Sequence, residues 1–292
     1  LKSINALHRR TPATAEAPGK GSIPSMYGAM AYSEEWPDGS FQFGVYTIPV
    51  AEGENFDLVV PDVNAHCGGV MVGDIYYWCD IVQNDNFEIE SINYTGVDVN
   101  NGARVFSGTG DYNTLSMTYD KTTGTIYAIM DINGIPVLTT LSFDNGFHYT
   151  QVAEFKGDYN ASVSDWNCIA CDKNGQLYGI TYDYDTATYD IVSNTLHKIN
   201  KTDGTVTKIG PTGFLGEYSS DAVIDQNTNR MFWTVSEFVE GYLCEVNLAT
   251  GTATKIYDFP GNEQICGLVI PASAIRAKAP AAVTDATADF AG

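Results

Sequence analysis

Two neighbouring runs, IACDKNGQLYGI at residues 169–180 and LHKINKTDGTVTKI at residues 196–209, decide the fold. In the first, a small-residue strand ends at Asp172, a turn closes through Gly175, and a strand bearing Tyr178 follows. In the second, a hydrophobic strand runs into a turn ending at Gly204 and continues as another strand. Asp and Asn hydrogen-bond their own turn backbone, and Gly adopts the positive φ that tight hairpins need. Two hairpins give one repeat of four antiparallel strands.

Both hairpins recur. The second appears as YTIPVAEGENFDLV (46–59), INYTGVDVNNGARVF (92–106), LSFDNGFHYTQV (141–152) and CEVNLATGTATKI (244–256). Its turn glycines, Gly53, Gly102, Gly146, Gly204 and Gly251, are spaced by 49, 44, 58 and 47 residues. The aromatic strand of the first hairpin recurs at Tyr27, Tyr76, Tyr127 and Phe232, with Asp120 and Asp225 leading turns as Asp172 does. Four strands per ~40–50 residues is the blade of a β-propeller.

The ends fix the count. The first repeat starts at MYGAMAY (26–32) with no inner strand before it, and a lone strand, ICGLVI (265–270), follows the fifth. That strand resembles CGGVMV (67–72), the inner strand of repeat two. The expectation is an all-β, five-bladed propeller over residues 25–275. Strand 265–270 completes the N-terminal blade, so that no sheet edge is left open.

Composition narrows the function. Fifteen Lys and Arg against 36 Asp and Glu give a formal charge of −21, which excludes nucleic acid and anionic membrane surfaces as partners. No apolar run reaches the ~20 residues of a membrane helix. Abundant Tyr (18) and Gly (28) suit strands and tight turns, and the mixture is that of secreted or cell-surface binding proteins. Residues 1–24 read as a leader or linker. Residues 276–292, rich in Ala and Pro, read as a linker that resembles the entry into a fibronectin type III-like domain.

Cys168 and Cys171 form a C-x-x-C, but on a strand residues three apart face opposite sides, so neither a zinc site nor a redox pair is expected. Ser116, Cys168 and Asp221 occupy equivalent inner-strand positions, which Cys67 and Cys266 join, near the channel mouth. Small residues are needed where five strands converge. The four histidines are scattered among the repeats, and no H-E-x-x-H, G-x-S-x-G or phosphate loop occurs. No catalytic residue, resident metal or cofactor is assigned.

The motifs D-K-x-G-x-L/I-Y and I-N-x-x-x-G-x-x-x-x-I, both intact in repeat four, make residues 25–271 resemble secreted bacterial β-propellers of the quinoprotein-like, YVTN or NHL-like kind. The resemblance implies blades and turns and names no activity.

In such a ring the loops from strand d to the next strand a, and from b to c, share one face. The d–a loops repeat GDYN at 110–113 and 157–160, with GEYS at 216–219, so Asp111, Asp158 and Glu217 are comparable, each followed by Tyr112, Tyr159 or Tyr218. Trp36, Trp166 and Asp221 complete the expected ligand-binding set. Aromatic faces stack on sugars and carboxylates accept hydroxyl hydrogen bonds, so the expected partner is a glycan or extracellular protein, recognised by a monomeric module of a longer chain. The same carboxylates suit Ca²⁺, though no D-x-D-x-D-G loop is present. Local Asx-turns and blade-wedging tyrosines are the structural alternative. The rival functions are a glycosidase using Asp165, Asp221 and Glu263, and a spacer module.

Overall fold

A computed structural model describes residues 21–34, 42–65 and 67–271, without the side chain of Cys67. Trp36 and most of the two flanking segments expected at 1–24 and 276–292 lie outside these residues.

The described chain is all strand and turn. Blade one holds β1 (Tyr27–Tyr32), β2 (Gly44–Thr47) and β3 (Leu58–Pro61). Blade two is β4 (Cys67–Val72), β5 (Ile75–Gln83), β6 (Ile89–Asp98) and β7 (Arg104–Gly110). Blade three is β8 (Thr114–Asp120), β9 (Thr125–Ile132), β10 (Ile135–Ser142) and β11 (His148–Glu154). A short β12 (Lys156–Gly157) then runs parallel to the outer edge of blade four, which is β13 (Ser164–Cys171), β14 (Leu177–Tyr184), β15 (Ile191–Ile199) and β16 (Thr205–Pro211). Blade five is β17 (Asp221–Asp225), β18 (Arg230–Ser236), β19 (Gly241–Val246) and β20 (Ala253–Asp258). The last strand, β21 (Gln264–Val269), pairs antiparallel with β1 and gives blade one the order β21-β1-β2-β3. This is the five-bladed, four-stranded ring that the repeat count implies, closed at the expected seam.

The turn chemistry follows the sequence. All five repeat glycines take positive φ between the third and fourth strands of their blades. Asp120, Asp172 and Asp225 each accept the backbone N–H two residues on, at 2.8, 2.8 and 2.9 Å. Between blades the core is apolar: Tyr178, Ile180 and Leu196 of blade four meet Trp233, Val235 and Cys244 of blade five. Cys168 packs in that cluster, whereas Cys171 packs with Tyr127 and Leu177 on the other side. The two thiols of the C-x-x-C therefore face apart, and burial pushes Cys171 up to about 12.

The inner strands approach closely. A Cβ on Gly267 would stand 2.1 Å from the Tyr76 hydroxyl, and that glycine is also at φ +59°. The Tyr76 hydroxyl donates to the Gly267 carbonyl at 2.8 Å, tying blade two to the closing strand.

Candidate ligand-binding face

Asp221 lies in the central channel, 1% exposed. Its Oδ1 accepts from the Ser116 hydroxyl of blade three at 3.0 Å and from the Ala222 N–H at 2.9 Å. Its Oδ2 accepts from the Leu268 N–H at 3.2 Å. Ser116 in turn accepts the Ile169 N–H of blade four at 3.0 Å. One carboxylate thus links blades one, three and five, and burial raises its pKa to about 7. The equivalence of Ser116, Cys168 and Asp221 read from the repeats is a physical neighbourhood. It forms a plug, with a cavity of only ≈ 50 Å³ beneath it among Met71, Met117, Tyr119 and Ile224.

The d–a loops present their acids separately. Asp111 is exposed, and the Tyr112 ring meets Tyr149 edge-on at 6.1 Å. Glu217 is exposed beside Tyr218, whose ring contacts Phe238 at 6.5 Å. Asp158 and Tyr159 enter a cleft of ≈ 540 Å³ over blade four, walled by the loop through Asn160 and Ser164 and by Asp183, Tyr184, Thr195, His197 and Lys208. Asp158 Oδ2 accepts the Lys208 N–H at 3.0 Å. Trp166, 3% exposed, stacks beneath Tyr159 at 5.1 Å and meets the His197 ring edge-on at 5.9 Å. Of the expected residues, the structure brings Asp158, Tyr159 and Trp166 together and leaves the Asp111 and Glu217 pairs over other blades. Trp36 is not described.

Within the cleft Asp183 gathers three hydroxyls. Ser164 and Thr181 each donate to Oδ1 at 2.9 Å, and Thr195 donates to Oδ2. Thr181 also lies 3.1 Å from His197 Nε2. Because Thr181 gives its one proton to Asp183, it accepts from Nε2–H, which leaves Nδ1 as a bare acceptor. Burial lowers the His197 pKa to about 4, so the ring is neutral at pH 7. Neither His197 Nδ1 nor Trp166 Nε1 has a hydrogen-bond partner.

The b–c hairpins add Phe87 and Tyr189, which the sequence reading missed, to Phe238 and Glu237, which it placed in the last of these loops. Phe87, Tyr189 and Phe238 stand at the tips of blades two, four and five, 82%, 79% and 77% exposed. Each has a carboxylate beside it: Glu88, Asp190 and Glu237. Phe87 and Tyr189 are at φ +63° and +61°, a conformation that costs a bulky residue energy. Asn84 Oδ1 holds the first tip by accepting from the N–H groups of Asn86 and Glu88, and Asp185 Oδ1 holds the second through Ala187 and Thr188. The aromatic-acid pairs in NDNFE and TATYD were a readable signal once the hairpins were located.

The three acids of the glycosidase alternative occupy different settings. Asp221 is the channel plug, and Glu263, 2% exposed, accepts from Ser33 and Gly261. Asp165 is exposed at the start of β13 and accepts the Trp166 N–H. Among the described residues no group of three His, Cys, Asp or Glu side chains is placed to hold a metal ion, and no helix is long and apolar enough to cross a membrane.

These features define a five-bladed β-propeller with an open, aromatic- and acid-bearing face. No protein-family model matches the chain, nor does any curated protein. Among solved structures it is similar to an exo-β-1,3-galactanase from Phanerochaete chrysosporium with β-1,3-galactotriose, at 11% identity and TM-score 0.50, covering 83% of this chain and 62% of that one. A nidogen/laminin complex matches at 12% identity and TM-score 0.48 over 83% and 97% of the two chains. TolB from Acinetobacter baumannii matches at 11% and 0.47 over 85% and 67%. At such identity the galactanase similarity concerns the fold alone.

Proposed function

We propose that the protein is a non-enzymatic, extracytoplasmic binding module that recognises a glycan on the face formed by its d–a and b–c loops. The observation that carries this reading is the set of exposed aromatics at loop tips of that one face, Phe87, Tyr189, Tyr218 and Phe238, each next to a carboxylate. Exposed rings stack on the apolar faces of pyranoses, and neighbouring carboxylates accept hydroxyl protons. Large exposed apolar side chains gathered on one face mark an interaction site more often than scattered ones do. Composition supports a location outside the cytoplasm. Two of the three acids that would serve a glycosidase are buried and hydrogen-bonded, which favours binding over cleavage.

A glycan array read in parallel with hydrolysis assays on the same polysaccharides tests the proposal. Binding without sugar release is expected, weakened by Phe238→Ala and Tyr218→Ala with the fold intact. Sugar release abolished by substituting Asp165 would overturn it in favour of the enzyme, and an empty array would overturn it in favour of a spacer.

A further inference from the structure

Aromatic side chains of blades four and five are joined into one run across the binding face. Tyr184 lines the ≈ 540 Å³ cleft together with Tyr159, and its ring lies 6.5 Å from that of Tyr182, two residues back on β14. Tyr182, half-buried, reaches the loop that leads into blade five, where its hydroxyl donates to the Tyr218 carbonyl at 3.1 Å. The Tyr218 ring in turn lies 6.5 Å from that of Phe238 at the blade-five tip. The outer end of the run is held in place. The Ser220 hydroxyl also donates to the Tyr218 carbonyl, at 3.0 Å, and the N–H groups of Glu217 and Tyr218 both donate to the Ser236 carbonyl, at 2.8 and 3.2 Å. Across the Phe238 tip, the Glu237 N–H donates to the Glu240 carbonyl at 2.7 Å, and the Tyr242 hydroxyl donates to Glu237 Oε1. Rings on loops fixed in this way lose little entropy on binding, as a preformed stacking surface requires.

We infer that this run is a platform for consecutive units of a linear, neutral polysaccharide, which enters the blade-four cleft at one end and stacks on Tyr218 and Phe238 at the other, with Tyr182 as the positioning residue between them. The inference rests on the glycan reading above and deepens it to a linear chain and to two of the five blades. Length follows from the layout: the cleft and the Phe238 tip belong to different blades, so one sugar ring covers only part of the run. Ligand class follows from the surrounding groups. Asn160, Ser193 and Thr195 line the cleft and offer neutral donors and acceptors to hydroxyls. The one cation lining it is Lys208, against Asp158 and Asp183, while Glu217 and Glu237 flank the outer rings, so a uronic acid or phosphate chain is repelled. The carboxylates of Asp158, Asp183 and Glu237 already accept from the Lys208 N–H, Ser164 and Tyr242, which leaves rings and hydroxyls as the main contacts and favours a sugar chain over a basic peptide.

The test is calorimetric titration of the whole protein with a length series of the neutral oligosaccharide selected on the array, from the disaccharide upward, alongside a uronic acid series and a Lys-rich peptide. Affinity is expected to rise roughly tenfold with length and then level off. Phe238→Ala, at a tip that is 77% exposed, should weaken long chains roughly three- to tenfold, about the worth of one aromatic contact, and leave the disaccharide unchanged. Tyr182→Phe removes only the hydroxyl that fixes Tyr218 and should show the same split in smaller measure; a purely structural role would lower the melting temperature without separating long chains from short. Affinity that does not rise with length would overturn the platform while the glycan reading stands. Equal losses for short and long chains in Phe238→Ala would place the disaccharide on the tip and overturn the arrangement. Tighter binding of uronic acid chains would overturn the ligand class, and capture of the peptide with no glycan bound would overturn the glycan reading itself.

Discussion

Asp221 and Asp120 are both buried carboxylates, and the chain shifts them in opposite directions. Burial dominates at Asp221 and lifts it to about 7, although Ser116 and three backbone N–H groups oppose the shift. At Asp120 burial also raises the pKa, but donors from Lys201 at 2.7 Å, Thr122 and Thr123 outweigh it and hold the group at about 2. The pH signatures are therefore opposite. Between about 4 and about 7 the folded state binds more protons at Asp221 than the unfolded state, so this group's contribution is complete at the acid end and falls as pH rises. The Asp120 contribution is complete above about 4 and is lost as pH falls towards 2. Ser116→Ala removes a donor to Asp221 and the acceptor for Ile169, and should cost ~1–3 kcal/mol. It should also make the loss of stability towards neutral pH steeper, read by urea unfolding at several pH values. Lys201→Met should reduce stability at pH 7 and flatten the acid limb.

At the scale of elements, the hairpins divide into two kinds. The third-to-fourth strand turns were legible because Gly and Asn or Asp announce a backbone that other residues avoid. The b–c tips were less legible because Phe87 and Tyr189 hold positive φ against their own preference, and nothing in their residue type signals a turn. Strain of this kind persists where surrounding structure enforces it, here through Asn84 and Asp185. Phe87→Asn is therefore expected to raise stability by up to ~1 kcal/mol, by relieving the left-handed cost, while weakening ligand binding. Thermal melts and a binding titration on the same sample check both halves. The blade-four cleft was half legible: GDYN marked Asp158 and Tyr159, but His197 looked like one of four scattered histidines. Its role depends on register, which pairs it with Lys208 on β16 and Gly179 on β14, and register across strands is not written in any single run.

For the whole molecule, closure is what gives the loops a common face. β21 leaves the fifth blade and completes the first, and its Gly267 is too close to Tyr76 and Gly69 to carry a side chain. Gly267→Ala should destabilise the ring by more than the ~1 kcal/mol of an ordinary Gly-to-Ala misfit, since backbone as well as a hydroxyl stands in the way. The drop in melting temperature measures it. The blade count and seam were readable from the missing first inner strand and the orphan last one. What the face binds was not readable, because its chemistry comes from hairpin tips of separate blades brought to one side only by the ring. Hydrogen exchange with and without the polysaccharide selected on the array is the decisive measurement. Protection is expected only in the loops around Phe87, Tyr189, Tyr218 and Phe238 and in the cleft at residues 157–164. Protection on the opposite face, at the turns of Asp120, Asp172 and Asp225, or no protection anywhere, would contradict it.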